Sequence, residues 1–241
     1  MRIKLKIFLG ISYLFILLVF LYFFFSSFEI SRLNDFSYYK ELQIYLQNDI
    51  GKSIYKNLLI FFFFAIVWIM LLGFGSPLLI FSGIIFGKWL GTFISVISVS
   101  LGALFLYIAA SFFFSEIVKK ILKERTKKYI DLFKKNEFYY FLAFRFVGGL
   151  GIPFPLQNIL PVIFNMGKLN YFFSSLLGFI PHFFIWNVIG SGINDFIENS
   201  DNFNFFEFVT SEEIYKPIML FFILIIISIV IKKRVFDVKN R

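Results

Sequence analysis

Gly149-Leu150-Gly151-Ile152-Pro153-Phe154-Pro155-Leu156-Gln157-Asn158 is a poor recipe for a membrane helix. Gly149, Gly151, Pro153 and Pro155 break or kink helices, and Gln157 and Asn158 are polar. The surrounding chain is nonetheless greasy enough for a bilayer. Over 241 residues it is 59% hydrophobic, with a mean hydropathy of +0.81, far above a soluble domain. Several apolar runs approach the roughly 20 residues that a spanning helix needs. Arg145 lies just upstream of the polar stretch.

The stretch has a twin. Gly73-Phe74-Gly75-Ser76-Pro77 and Gly149-Leu150-Gly151-Ile152-Pro153 both spell G-x-G-x-P, 76 residues apart. Ile85-Phe86-Gly87-Lys88 follows the first, and Ile163-Phe164-Asn165-Met166-Gly167-Lys168 follows the second. Each leads into a long apolar segment, so the chain reads as a duplicated unit.

Charge sets the topology. The N-terminus carries Arg2, Lys4 and Lys6, residues 115–137 carry eight Lys/Arg against four acids, and the tail after residue 231 carries five against one. Residues 194–213 hold six acids and no Lys/Arg. The positive-inside rule places the first three regions in the cytoplasm. Spans at residues 7–25, 89–114, 169–190 and 215–231 satisfy it if neither G-x-G-x-P segment crosses the membrane. The arms 58–72, 78–87, 138–147 and 155–166 agree, since at about 1.5 Å per residue most fall short of a core roughly 30 Å thick. The expected fold is an all-α integral membrane protein with about four full spans. Its core is an inverted repeat of a re-entrant helical hairpin plus a transmembrane helix. The alternative is a pair of kinked helices whose Gly and Pro serve packing.

Residues 1–57 then form an uncleaved N-terminal anchor and an external amphipathic segment, with Leu42, Leu46, Ile50 and Ile54 as its stripe. Residues 58–192 form the hairpin core. Residues 193–241 form an acidic external loop, a last span and a basic cytoplasmic tail. A second amphipathic stretch, with lysines from Lys119 to Lys135, is placed on anionic inner-leaflet lipid. The net charge of +9 is read the same way, not as a nucleic-acid footprint.

Irregular backbone at membrane depth is tolerated where it is buried in protein or lines a cavity. Opposed hairpins of an inverted repeat recur around substrate sites near the midplane. The candidate binding residues are therefore Arg145, Gly149, Gly151, Pro153, Pro155, Gln157 and Asn158, with Gly73, Gly75 and Pro77 at the other tip and His182 nearby. An arginine in a membrane arm either meets a partner, for which a phosphate is well suited, or snorkels to the interface. His182 is a packing residue or a proton relay. No Asp or Glu lies in the hairpins or spans, which weakens proton coupling. With no cysteine and one histidine, the expectation is a protein that is not an enzyme and has no cofactor or metal.

Arg145, Pro153-Phe154-Pro155-Leu156-Gln157-Asn158, Gly178-Phe179-Ile180-Pro181 and Gly190 together resemble the signature of the DedA superfamily, in particular its SNARE-associated, or VTT-domain, branch. Gly75-Ser76-Pro77, Ser82 to Gly87, Gly91 and Gly102-Ala103 fit the first unit of that pattern. The resemblance covers residues 58–192. It implies two re-entrant hairpins and a role in membrane homeostasis, with relatives associated with moving phospholipid or a polyprenyl-phosphate carrier between leaflets. It singles out Arg145, Pro153 and Asn158. Three departures stand out: Pro161-Val162 replace a small pair common in the family, Ser111 stands near the place of a frequent arginine, and the first hairpin lacks acidic residues. The expectation is a lipid translocase or scramblase of the plasma membrane, compatible with a homo-oligomer. The alternatives are a secondary transporter of a small solute or ion and a non-transporting membrane organiser.

Overall fold

The computed structural model of the chain describes residues 2–26, 53–121, 124–199 and 204–212, with short runs between 37 and 48 and between 214 and 226. The described residues are helical or in turns, with no strand among them. The chain divides into two units, Met1–Leu42 and Gln43–Arg241. In the first, helix α1 (Arg2–Ser26) exposes Phe8, Ile11, Phe15, Leu18 and Tyr22. An apolar surface of this kind suits lipid.

The second unit begins with α2 (Ile54–Met70), a nearly unbroken apolar run. It stops at Leu72, whose φ of 63° is left-handed. The Trp68 indole N–H donates to the Phe74 carbonyl at 2.9 Å and closes the turn. Gly73 lies against that indole with no room for a side chain. Helix α3 (Gly75–Ile121) then starts with Pro77 in its first turn, where a missing N–H costs nothing. It is two helices in one, because Gly87 breaks it with φ 71° and ψ 177°. Residues 75–86 run back along α2, so that the Phe61 and Phe86 rings meet at 5.5 Å. Residues 88–121 form a long helix.

The second half follows the same plan. Helix α4 (Glu124–Lys135) leads into the short α5 (Glu137–Phe146). A 3-10 turn (Gly148–Gly151) reverses the chain into α6 (Phe154–Ile159), and a further 3-10 turn (Leu160–Val162) leads to α7 (Lys168–Asn199). The start and end of this excursion come together: the Glu137 carboxylate accepts from Gly167 N at 3.0 Å and from Asn170 Nδ2 at 2.7 Å. Both G-x-G-x-P segments therefore fold as helical hairpins. Their tips meet, with the Phe154 ring 3.6 Å from where a Gly75 side chain would begin. Helix α8 (Phe205–Thr210) is capped by Asn204, whose Oδ1 accepts from Phe206 N at 3.0 Å.

The core is the contact between α3 and α7. They approach closely where Gly83 and Gly190 meet, since a side chain on either would strike the Asn187 or the Ile80 carbonyl. Small residues at helix crossings are how membrane helices gain packing when lipid offers no hydrophobic drive. Two stretches, Gly75–Phe113 and Lys168–Glu198, are long and apolar enough to cross a bilayer. With these two stretches and the apolar surface of α1, the described residues have the make-up of an all-α membrane protein.

The two halves repeat their contacts at the same 76-residue offset that separates the motifs. Leu72 and Gly148 both have left-handed backbone, with φ 63° and 71°. A side chain at Gly102 would stand 2.9 Å from both the Ile66 carbonyl oxygen and Ile69 Cβ. One at Gly178 would stand 3.1 Å from the Leu142 carbonyl oxygen and 2.5 Å from Arg145 Cβ. Left-handed backbone also follows both Ile-Phe pairs, at Gly87 (φ 71°) and Asn165 (φ 48°).

The expected arms end within a few residues of the observed helices. Leu42, Leu46 and Ile50 of the first amphipathic stripe lie outside the described residues, as does the end of the 215–231 span. In the basic stretch, Phe133 stacks on Phe164 at 4.5 Å and so faces the hairpin, while Leu132, Lys134 and Lys135 are exposed.

Candidate functional site

Arg145 sits on the last turn of α5. The chain can reverse just after it because Gly148, Gly149 and Gly151 adopt φ values of 71°, 77° and 82°, where an L side chain costs about 1–2 kcal/mol. Pro153, with φ −53°, and Pro155 start α6 in a conformation that their rings already favour. That helix is only six residues long. Its turn places Gln157 and Asn158 over the guanidinium.

The guanidinium is 1% exposed and fully enclosed. Its Nη2 donates to Asn158 Oδ1 at 2.6 Å and to the Tyr171 hydroxyl at 3.0 Å, and Nη1 donates to Gln157 Oε1 at 3.3 Å. Tyr171 in turn donates to the Asn158 carbonyl at 3.3 Å. The Phe179 and Phe141 ring centres lie 4.6 and 4.7 Å from the guanidinium carbon, with Tyr171 and Phe154 at 5.7 and 5.9 Å. Gly178 makes room for the arginine stem. Arg145 therefore points inward and does not snorkel.

This cage is neutral. Among the described residues no carboxylate lies within ion-pair distance of Arg145; its partners are two amides, a phenol and aromatic faces. Arginine keeps its charge in proteins. Removing an unpaired charge from water costs several kcal/mol, of which aromatic faces return about 2 kcal/mol. Two polar donors are also left over, because Arg145 Nε and Asn158 Nδ2 have no hydrogen-bond partner. The amide of Asn158 cannot be turned to hide this, since Oδ1 is held by the guanidinium. The site is thus positive, donor-rich and buried.

The other candidates divide. Gln157 belongs to the site and also fastens the tip, donating to the Ile152 carbonyl at 2.7 Å and to the Gly148 carbonyl at 3.2 Å. Its amide fills the space where a Gly149 side chain would be. Gly151 and Pro153 are exposed at the tip. Gly73, Gly75 and Pro77 lie at the tip of the first hairpin, and the hydrogen bonds of Arg145 go to Gln157, Asn158 and Tyr171 instead. His182 accepts from Trp186 Nε1 at 3.0 Å, and its ring lies 3.4 Å from the side-chain position of Gly148. It flanks the tip without joining the cage.

Tyr171 is the residue that sequence reasoning missed. It is fully buried, bonds both Arg145 and Asn158, and stacks on Tyr107 at 4.5 Å. One tyrosine among twelve, in a chain with forty phenylalanines, gave no signal by itself.

Residues 72–192 match the family model of the VTT domain, half of the chain. No solved structure matches it.

Proposed function

The chain belongs to the VTT-domain family, the domain of the DedA and SNARE-associated membrane proteins, and from that premise we propose that it moves a phosphate-bearing lipid between leaflets. The observation that carries the reading is Arg145, a buried guanidinium with no carboxylate partner among the described residues and with unused donors beside it. A phosphate oxygen would supply the missing negative charge and accept from Arg145 Nε and Asn158 Nδ2, in the charge-assisted geometry that guanidinium favours. The headgroup would pass the meeting point of the hairpin tips while its tails remain in lipid. No bond is made or broken.

In this reading the two hairpins are re-entrant from opposite faces, and the basic termini and central loop are cytoplasmic at the plasma membrane. Ends that come together, as Glu137 does with Gly167 and Asn170, support hairpins that return to the side they enter. Leaflet exchange in liposomes tests it. Reconstituted protein should accelerate bleaching of inner-leaflet phospholipid or polyprenyl-phosphate probes by an external reductant. Arg145→Ala and Asn158→Ala should slow it at least tenfold at equal, correctly inserted amounts. Unchanged exchange in Arg145→Ala would defeat the proposal.

One observation favours a second reading. With Arg145 only 1% exposed, the site is occluded, as alternating access to a small anion requires. Uptake of radiolabelled phosphate or carboxylate solutes without any lipid exchange would decide for it.

A further inference from the structure

Residues 58–87 carry no charged side chain, yet a second buried polar cluster stands where α3 crosses α7. Ser82, Ser95 and Asn187 are each 0% exposed. Ser95 Oγ donates to Ser82 Oγ at 3.0 Å, and Ser82 Oγ donates to the Gly91 carbonyl at 3.1 Å. Both hydroxyl protons are thereby used. Asn187 donates from Nδ2 to the Phe183 carbonyl at 2.9 Å, which fixes its amide, because the flipped amide would set two acceptors against each other. Its Oδ1 is left with no donor. That oxygen is aimed at Gly91. A side chain there would begin 2.5 Å from Asn187 Oδ1, 2.8 Å from the Ser82 carbonyl and 3.1 Å from Ser82 Oγ.

What remains in this cluster is acceptor capacity, the reverse of the Arg145 cage. The oxygens come from two halves of a broken helix and from α7. At the break the carbonyl end of one half faces the N-terminal end of the next, so their partial charges offset and the named oxygens carry the site. Oxygen ligands at interrupted helices are how membrane proteins hold small monovalent cations. A divalent ion does not suit the cluster, because its ligands are all neutral and the cost of burying charge rises steeply with valence.

We infer that Ser82, Ser95, the Gly91 carbonyl and Asn187 form a binding site for a small monovalent cation, with sodium as the fitting probe. Ser82, Gly91 and Ser95 belong to the half of the chain that lacks Arg145, and Asn187 reaches them from α7. The test of this site does not depend on lipid movement.

The test is thermal unfolding of the purified full-length chain in detergent, in sodium, potassium or choline chloride at fixed ionic strength. Sodium should raise Tm saturably by about 2–4 °C over choline, the size expected for a ligand present well above its Kd. Ser82→Ala and Asn187→Leu should lose the sodium-dependent shift, and Arg145→Leu should keep it. Asn187→Asp, which puts a carboxylate oxygen in the same place, should reach the shift at a lower sodium concentration. Equal Tm of the wild-type chain in all three salts would overturn the inference, whatever the variants do. So would a full shift surviving in Ser82→Ala, which removes one hydroxyl and leaves the packing in place.

Discussion

The two hairpins share an outline and differ in what they bury. In the first, Ile69 packs against Gly102, and in the second, Arg145 packs against Gly178. Each stands four residues before the first glycine of its motif. Ser82 and Ser95 bond each other in the first half, and Asn158 and Tyr171 do so at the matching offset in the second. The scaffold thus needs a buried side chain at this position but does not need a charge there. The first hairpin folds with an aliphatic residue and an indole-closed turn, and the second uses three left-handed glycines to set an arginine among amides. What the second half carries beyond folding is therefore a cost in stability, and function is its physical rationale.

Giving each hairpin the other's kind of residue probes this most severely. Ile69→Arg buries a guanidinium where serines, Ser82 and Ser95, stand at the positions matching Asn158 and Tyr171, and should cost about 3–5 kcal/mol, seen as loss of monodisperse protein. The reverse change, Arg145→Leu, should leave Tm equal or higher while abolishing exchange, since replacing a buried charge by an apolar side chain is often neutral or stabilising. A collapse of Tm in Arg145→Leu would mean that the guanidinium is a structural strut, and the contrast between the hairpins would lose its meaning.

Smaller effects sharpen the comparison. Gly178→Ala and Gly102→Ala should each cost about 1–3 kcal/mol by overpacking, but only the first, beside Arg145 Cβ, should also slow exchange. Parallel Tm and exchange measurements separate them. Asn158→Ala leaves the guanidinium short of an acceptor and should cost about 1–3 kcal/mol, whereas Ser82→Ala, which spares every charge, should cost no more than about 1 kcal/mol. Smallest of all is Leu72→Gly. Relief of left-handed strain worth about 1 kcal/mol is offset by added freedom in the unfolded chain, so Tm should move by no more than about 2 °C.

Much of this outline is legible in the sequence. Two G-x-G-x-P motifs in apolar context suggest two chain reversals, because paired glycines and a proline within five residues interrupt a helix. Arg145, Gln157 and Asn158 announce a polar site, because each is expensive at depth. The cage is less legible where its chemistry is shared with ordinary packing. Tyr171 reads as one more aromatic until α7 is laid against α5. Ser82, Ser95 and Asn187 are mild polar residues spread over a hundred positions, and only the crossing of α3 and α7 brings them together. The left-handed tip residue of the first hairpin is Leu72, not a motif glycine, because the Trp68 indole closes that turn and holds the strain. Spacing alone does not record such tertiary compensation.

The central claim is that the unpaired charge of Arg145 exists to receive a phosphate. The most direct measurement compares leaflet exchange of a phosphate-bearing lipid probe with that of a probe having the same tails and an uncharged, phosphate-free headgroup, in wild-type and Arg145→Leu proteoliposomes. The account predicts fast exchange of the phosphate probe by the wild type alone, with the uncharged probe at the protein-free rate throughout. Equal acceleration of both probes, unaltered by Arg145→Leu, would contradict it.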